Sequence, residues 1–286
     1  MKVVLVRRNG VDQSGDEQRA AIILPHHPHP KPAPIFNMPV ARFFSSEPLP
    51  RPFIRGVVFV VSEAVARHLQ VLRVATGETI TLFDGEGGEF AAAVVDIGKR
   101  TASVMLSAFD AVEREAPIRI TLVQALATSD KMDFIVQKAV ELGVTEFAPV
   151  ATARSTLKLA GERADKRVAH WQAIAVAACE QCGRNRVPPI HGLQTFDQWL
   201  TGTHAGATVL LHPAAEKSML DSVDANAPIS LLIGPEGGFT DEEIARAMLR
   251  GVVTAKFGPR TLRTETAGLA AIAALAACFG DLGGLP

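Results

Sequence analysis

From residue 118 to residue 279, short, mostly apolar runs alternate with longer segments whose apolar positions recur every three or four residues. The runs IRITLVQAL (118–126), TEFAPV (145–150), ATVLLHP (207–213), ISLLIG (229–234) and VVTAKF (252–257) have the length and branched-residue content of strands buried on both faces. Between them, DKMDFIVQKAVELG (130–143), a long segment from about 161 to 182, TDEEIARAMLRG (240–251) and ETAGLAAIAALAACF (265–279) have helical spacing. Gly143 and Gly183 fall where the first and second of these helices must stop. Alternating strand and helix with short links predicts an α/β fold with a mostly parallel sheet covered on both faces. Ligands bind beyond the carboxyl ends of such strands, which nominates the loops after Leu211, Ile233 and Phe257.

The rhythm before residue 110 is different. VVFVV (57–61), TITLF (79–83), EFAAAVV (89–95) and TASVML (101–106) are strand-like and separated by the turn signals ATGE, DGEGG and DIGKR. One short helix, SEAVARHLQVLRV, is expected among them with Ser62 as its N-cap. This is a small barrel-like module. Residues 1–37 differ again: PHHPHPKPAP is proline-rich, with His26, His27 and His29, and reads as unpacked chain rather than a metal site. The expected organisation is therefore an extension (1–37), a β-rich domain (38–112) and an α/β domain (113–286). A chain beginning at Met38 is expected to keep its melting temperature and activity.

Composition narrows the classes. An apolar share of 48% with 21% charged residues in 286 residues describes a globular chain with a sizeable core. No apolar run reaches the roughly 18–20 residues that cross a bilayer, and the N-terminal run is too short for a signal peptide, so a cytoplasmic location is expected. A formal net charge of −1 gives no nucleic-acid signature, so any such ligand needs a local basic patch. The pair Cys179 and Cys182 lies near the end of an Ala-rich helix, without a second pair, and carries no metal or redox expectation.

The stretch LLIGPEGGFTDEEI (231–244) holds the first candidate chemistry. A phosphate is disfavoured: neither G-x-x-x-x-G-K-[ST] nor G-x-G-x-x-G is present, Thr240 and Glu243 form a capping box, and Glu236, Asp241 and Glu242 add negative charge. A neutral or cationic ligand suits glycines that let backbone approach closely, while a plain strand-to-helix turn remains the alternative. The second stretch, FGPRTLRTETAGLAAI (257–272), gathers Arg260, Thr261, Arg263, Thr264, Glu265 and Thr266 before a helix that is apolar on all faces. A helix of that kind is buried by other chain, often a partner subunit.

IGPEGGFTDEE followed by GPRTLRTETA closely resembles the bacterial 16S rRNA (uracil-N(3))-methyltransferases, the RsmE family. SDKMDFIVQKAVELGV with TARS, EQCGR, RHLQVLRVATGE and MPVARFF fit the same pattern, so the resemblance spans about residues 38–280. It implies a SPOUT domain whose trefoil knot holds S-adenosylmethionine, a PUA-like RNA-binding β-barrel domain, and a homodimer acting on 16S ribosomal RNA of the small subunit. The implied cofactor contacts are Leu211, Ile233, Gly234, Pro235, Glu236, Gly237, Gly238, Leu262, Arg263, Thr264, Glu265 and Ala267. No metal is implied. Arg42, Arg73, Arg154, Lys158 and Arg184 are the candidate RNA contacts. For methylation at N(3), which must first lose a proton, Arg263 is the candidate for stabilising the uracil anion and Glu265 for accepting the proton. Of the histidines and cysteines, only His212 falls in the three loops, beside the expected cofactor position. A different SPOUT methyltransferase specificity and a non-catalytic assembly factor are the alternatives.

Overall fold

A computed structural model describes residues 40–283; the expected extension at 1–37, its three histidines and Met38 lie outside them. The first sheet contains β1 (Arg42–Phe44), β2 (Val58–Val61), β3 (Thr79–Phe83), β4 (Glu89–Ile97) and β5 (Ala102–Asp110), in the order β1-β3-β4-β5-β2. Alternation drives its packing. In β4 every second side chain from Phe90 to Val94 is buried, and these meet Phe43, Ile80, Leu82 and Val104 in one cluster. Helix α1 (Glu63–Val71) closes that cluster with Val65, Ala66 and Leu69, and the Ser62 hydroxyl accepts from Val65 N as its cap. The β1 and β2 strands do not pair with each other among the described residues, so the sheet forms a half-barrel.

The second sheet is parallel throughout, in the order β11-β9-β10-β6-β7-β8. Its strands are β6 (Ile120–Ala125), β7 (Glu146–Ala151), β8 (Gln194–Thr195), β9 (Ala207–Leu211), β10 (Ile229–Ile233) and β11 (Val253–Ala255). Every residue of β10 is buried, as a strand covered on both faces requires. One face packs against α2 (Ser129–Glu141), α3 (Glu162–Cys182) and α6 (Thr264–Phe279), which cover Leu122, Leu231 and Ile233. The other packs against α4 (Phe196–Thr201) and α5 (Asp241–Leu249), which cover Val123, Leu210 and Leu232. Gly143 and Gly183 end α2 and α3 in the left-handed region, at φ +88° and +90°. The last helix does not stay beside its own strand. From edge strand β11 the chain returns across the sheet, and α6 packs on β10, β6 and α2.

Four elements escape the apolar pattern: β1, β8, α4 and a single 3-10 turn at Leu220–Ser222. The two strands hold three and two residues, too few to show alternation, and α4 has only six residues. The Thr195–Gln198 capping box was its one legible signal. Strand β1 matters because it ties the half-barrel to the α/β part, with Phe44 N donating to Glu180 of α3 at 2.9 Å.

Candidate active site

The loops after β9, β10 and β11 enclose a cavity of about 660 Å³ at the carboxyl edge of the parallel sheet. Leu211, Ile233, Gly234, Pro235, Glu236, Gly237, Gly238, Leu262, Arg263, Thr264 and Ala267 all line it, together with His212, Lys131 and Arg154. Glu265 does not belong to that wall.

Close contacts and backbone conformation favour glycine here. A Cβ on Gly237 would lie 3.2 Å from Arg154 Cβ, and one on Gly234 would lie 3.2 Å from the Phe239 ring. Gly238 sits at φ +67°. The helix that follows is capped at its start by two reciprocal hydrogen bonds. Thr240 Oγ1 accepts from Glu243 N at 3.2 Å, and Glu243 Oε2 accepts from Thr240 N at 2.9 Å. The other Glu243 oxygen accepts from Ala153 N at 2.8 Å, which pins the loop after β7 to the glycine loop. With Thr240 N engaged by a carboxylate and Glu243 N by a hydroxyl, the loop is a poor phosphate site.

Glu236 turns toward the other loops at this edge. Its carboxylate accepts from Thr128 N at 3.3 Å and Thr156 Oγ1 at 3.4 Å, and meets Lys131 Nζ at 3.2 Å. The same ammonium lies 3.2 Å from Glu265 Oε2 as an ion-pair partner without an aligned hydrogen bond. Burial pushes both carboxyls up. For each, its own backbone N–H and Lys131 outweigh that effect, leaving both below the usual carboxylate range, with Thr128 N also helping at Glu236. Lys131 is correspondingly held above its ordinary value by Glu236 and Glu265, against a smaller effect of burial. This geometry argues against Glu265 as proton acceptor: a carboxyl held low beside an ammonium is a weak base.

Arg263 is the N-cap of α6, exposed, and its guanidinium makes no ion pair or hydrogen bond among the described residues. Arg154 is exposed at the mouth and donates to Gly237 O at 2.9 Å and Phe239 O at 3.3 Å. Arg73 and Lys158 are exposed and leave the expectation of RNA contact intact. Two candidates do not. Arg184 is 4% exposed, paired with Glu115, and donates to Val140 O and Val144 O at 2.9 Å each. Arg42 pairs with Glu89 and donates to Gly183 O at 3.2 Å and Asn185 Oδ1 at 2.8 Å. Both guanidiniums are committed to holding the two sheets' connections, so neither meets a phosphate.

Sequence reasoning missed Lys131 and Gln124. The helix after β6 begins at the same carboxyl edge as the three nominated loops, so its first turn was findable from topology alone. Of the cysteine pair, Cys179 is buried, and burial pushes its thiol up to about 12. No cluster of three metal-ligating side chains occurs among the described residues.

The wall combines apolar side chains, closely approachable backbone and one carboxylate, Glu236, with the cations Lys131, Arg154, Arg260 and Arg263 around it. The apolar side chains and approachable backbone suit a ligand that carries an aromatic base. Comparison with known proteins agrees with this chemistry. Residues 114–276 match the RNA methyltransferase domain family, and residues 61–105 match the RNA methyltransferase PUA domain family. The half-barrel and parallel sheet thus define an RNA methyltransferase architecture. The ribosomal RNA small subunit methyltransferase E of Buchnera aphidicola is 31% identical over 241 residues, 82% of this chain and 98% of that protein. A crystal structure of the Neisseria gonorrhoeae ribosomal RNA small subunit methyltransferase E bound to S-adenosyl methionine is 39% identical, with a TM-score of 0.79 over 85% of this chain and 99% of that one. A Legionella pneumophila protein in complex with bound SAM is 35% identical, with a TM-score of 0.80 over 86% and 100% of the two chains. The chain belongs to the ribosomal RNA small subunit methyltransferase E family.

Proposed function

We propose that the chain methylates N(3) of a uridine in 16S ribosomal RNA of the small subunit, using S-adenosylmethionine held in the cavity at the sheet's carboxyl edge. Family membership and two similar proteins crystallised with S-adenosylmethionine support the cofactor and the RNA substrate. The observation that carries the site assignment is the joining of the three nominated loops around one cavity with a capped, phosphate-averse helix start. Leu211, Ile233, Leu262 and Ala267 would receive the apolar surface of the cofactor, and the backbone at 234–238 its polar edges. The bound cofactor supplies an electrophilic methyl group on a positively charged sulfur.

The protein's part is to make N(3) nucleophilic. Loss of the N(3) proton spreads negative charge onto the flanking carbonyl oxygens. Arg263, exposed at the cavity and unpaired among the described residues, can meet that charge with its fork of N–H donors. Lowering the cost of the anion lets the proton pass to water at the open mouth. Glu265 and Glu236 then act by anchoring Lys131, which braces α2 against the two cofactor loops. Arg73, Arg154 and Lys158 are the surface cations assigned to RNA phosphates.

The half-barrel at 38–112 presents RNA to the α/β domain at 113–286, whose C-terminal chain threads a trefoil knot. The return of the chain from β11 to α2 supports such a crossing. The active form is a homodimer in the cytoplasm and needs no metal. The pairing surface includes α6, whose Phe279 remains 39% exposed in the single chain.

Arg263→Ala tests the mechanism. It should lower the single-turnover methylation rate by on the order of a hundredfold with cofactor affinity nearly unchanged. Loss of cofactor binding, with the rate intact at saturation, would move Arg263 into the cradle instead.

A further inference from the structure

Gln124 is wholly buried near the end of β6, between β10 and β7, and the mechanism above makes no use of it. Its neighbours along the strand, Leu122, Val123, Ala125 and Leu126, are all buried and apolar. A leucine would pack there without any polar group to satisfy. The glutamine instead forms a directed chain of hydrogen bonds. Its amide nitrogen donates to Ala125 O and to Thr264 Oγ1, each at 3.0 Å. The Thr264 hydroxyl donates in turn to Gly234 O at 2.6 Å.

The direction of that chain is forced. A backbone carbonyl only accepts, so the threonine proton is committed to Gly234, and the threonine oxygen must accept from Gln124. A reversed amide would set Oε1 against two acceptors. The orientation is therefore fixed, and Oε1 is left buried with no partner among the described residues. An unmatched buried acceptor is unfavourable for stability, so the residue is not explained by holding the core together. What it does hold is the meeting point of two cavity loops. Gly234 opens the loop after β10, and Thr264 is the first residue of α6; both line the cavity.

We infer that Gln124 is a positioning residue for the cofactor: through Thr264 it fixes the Gly234 carbonyl and the start of α6 in one arrangement before the cofactor arrives. The inference rests on the cavity being the S-adenosylmethionine site. Preset loops spare the ligand the cost of ordering them, so the effect belongs in affinity.

Calorimetric titration of S-adenosylmethionine into wild type, Gln124→Leu and Gln124→Glu, with melting curves of the cofactor-free proteins, tests this. Gln124→Leu should bind about tenfold more weakly without a lower melting temperature. Gln124→Glu should depend on pH. Its protonated carboxyl can donate to Thr264 Oγ1 and its ionised form cannot, so its affinity relative to wild type should fall as pH rises. If Gln124→Leu fails to fold, Thr264→Val weakening binding more than Thr264→Ser carries the same comparison. Equal affinity of wild type and both Gln124 variants at every pH overturns the inference. So does a joint loss of melting temperature and affinity in Gln124→Leu while Gln124→Glu tracks wild type across pH, which would mark a packing role. Failure of the wild type to bind S-adenosylmethionine overturns the reading of the cavity itself.

Discussion

Replacing Gly268 with alanine should damage the active site from a position that touches no ligand. Gly268 lies one turn into α6, where the helix crosses the sheet. A Cβ there would lie 3.2 Å from Leu122 Cδ1 and 3.3 Å from Ile233 Cγ1. Two effects oppose each other. Alanine gains about 1 kcal/mol over glycine in a helix interior, whereas overpacking a filled core costs about 1–3 kcal/mol. Leu122 and Ile233 are 0% and 2% exposed and belong to the central strands, and Leu122, the nearer of the two and no part of the cavity wall, has little room to retreat. The overpacking effect therefore wins, by about 1 kcal/mol, a fall in melting temperature of roughly 2–4 °C for a chain of this size. The relief available is a small outward shift of α6, which carries Arg263 and Thr264 with it. Affinity for S-adenosylmethionine should then drop by more than the stability change alone conveys. Differential scanning calorimetry and cofactor titration on the same preparation read both quantities. A variant that is about 1 kcal/mol more stable with unchanged affinity would refute the argument, because it would mean the helix has space to spare.

Arg184→Gln should cost about 3–5 kcal/mol of unfolding free energy in denaturant titration, because Glu115 would be left partly buried without its partner; the salt dependence of RNA affinity should be unchanged. Neutralising Arg73, Arg154 and Lys158 together should flatten the slope of log affinity against log salt by about 0.7–0.9 per lost phosphate contact, and an unchanged slope would reject the patch. Asp84 should make the half-barrel acid-sensitive. Burial pushes its carboxyl up, but Arg51 and the backbone N–H groups of Leu49 and Glu86 outweigh it and hold it below the usual range. A carboxyl lowered by folding contributes stability above its unfolded value and loses it as pH falls through the folded value. Asp84→Asn should therefore melt lower at neutral pH, and the gap from wild type should close on acidification.

The fold was legible where physical signals repeat. Buried parallel strands such as ISLLI, glycine stops at Gly143 and Gly183, and the Thr240–Glu243 box each announce themselves within a few residues, and all stand where the pattern put them. The cavity-lining residues were reachable because strand ends in a parallel sheet share one edge. What sequence could not give was the partner of each charge. Arg42 and Arg184 read as surface cations because an arginine's burial depends on a carboxylate far away in the chain, Glu89 and Glu115 respectively. The same holds for Glu265, whose ion-pair partner Lys131 lies over a hundred residues earlier. Gln124 was invisible for a related reason: inside an apolar strand, nothing local says that its amide meets Thr264.

The most direct test is transfer of labelled methyl from S-adenosylmethionine to small ribosomal subunits and their RNA prepared without the modification, with the modified base mapped by mass spectrometry. The account predicts one labelled N(3)-methyluridine in 16S ribosomal RNA, lost with Arg263→Ala. Label on another base or another RNA, or cofactor binding with no transfer to either substrate, would contradict it.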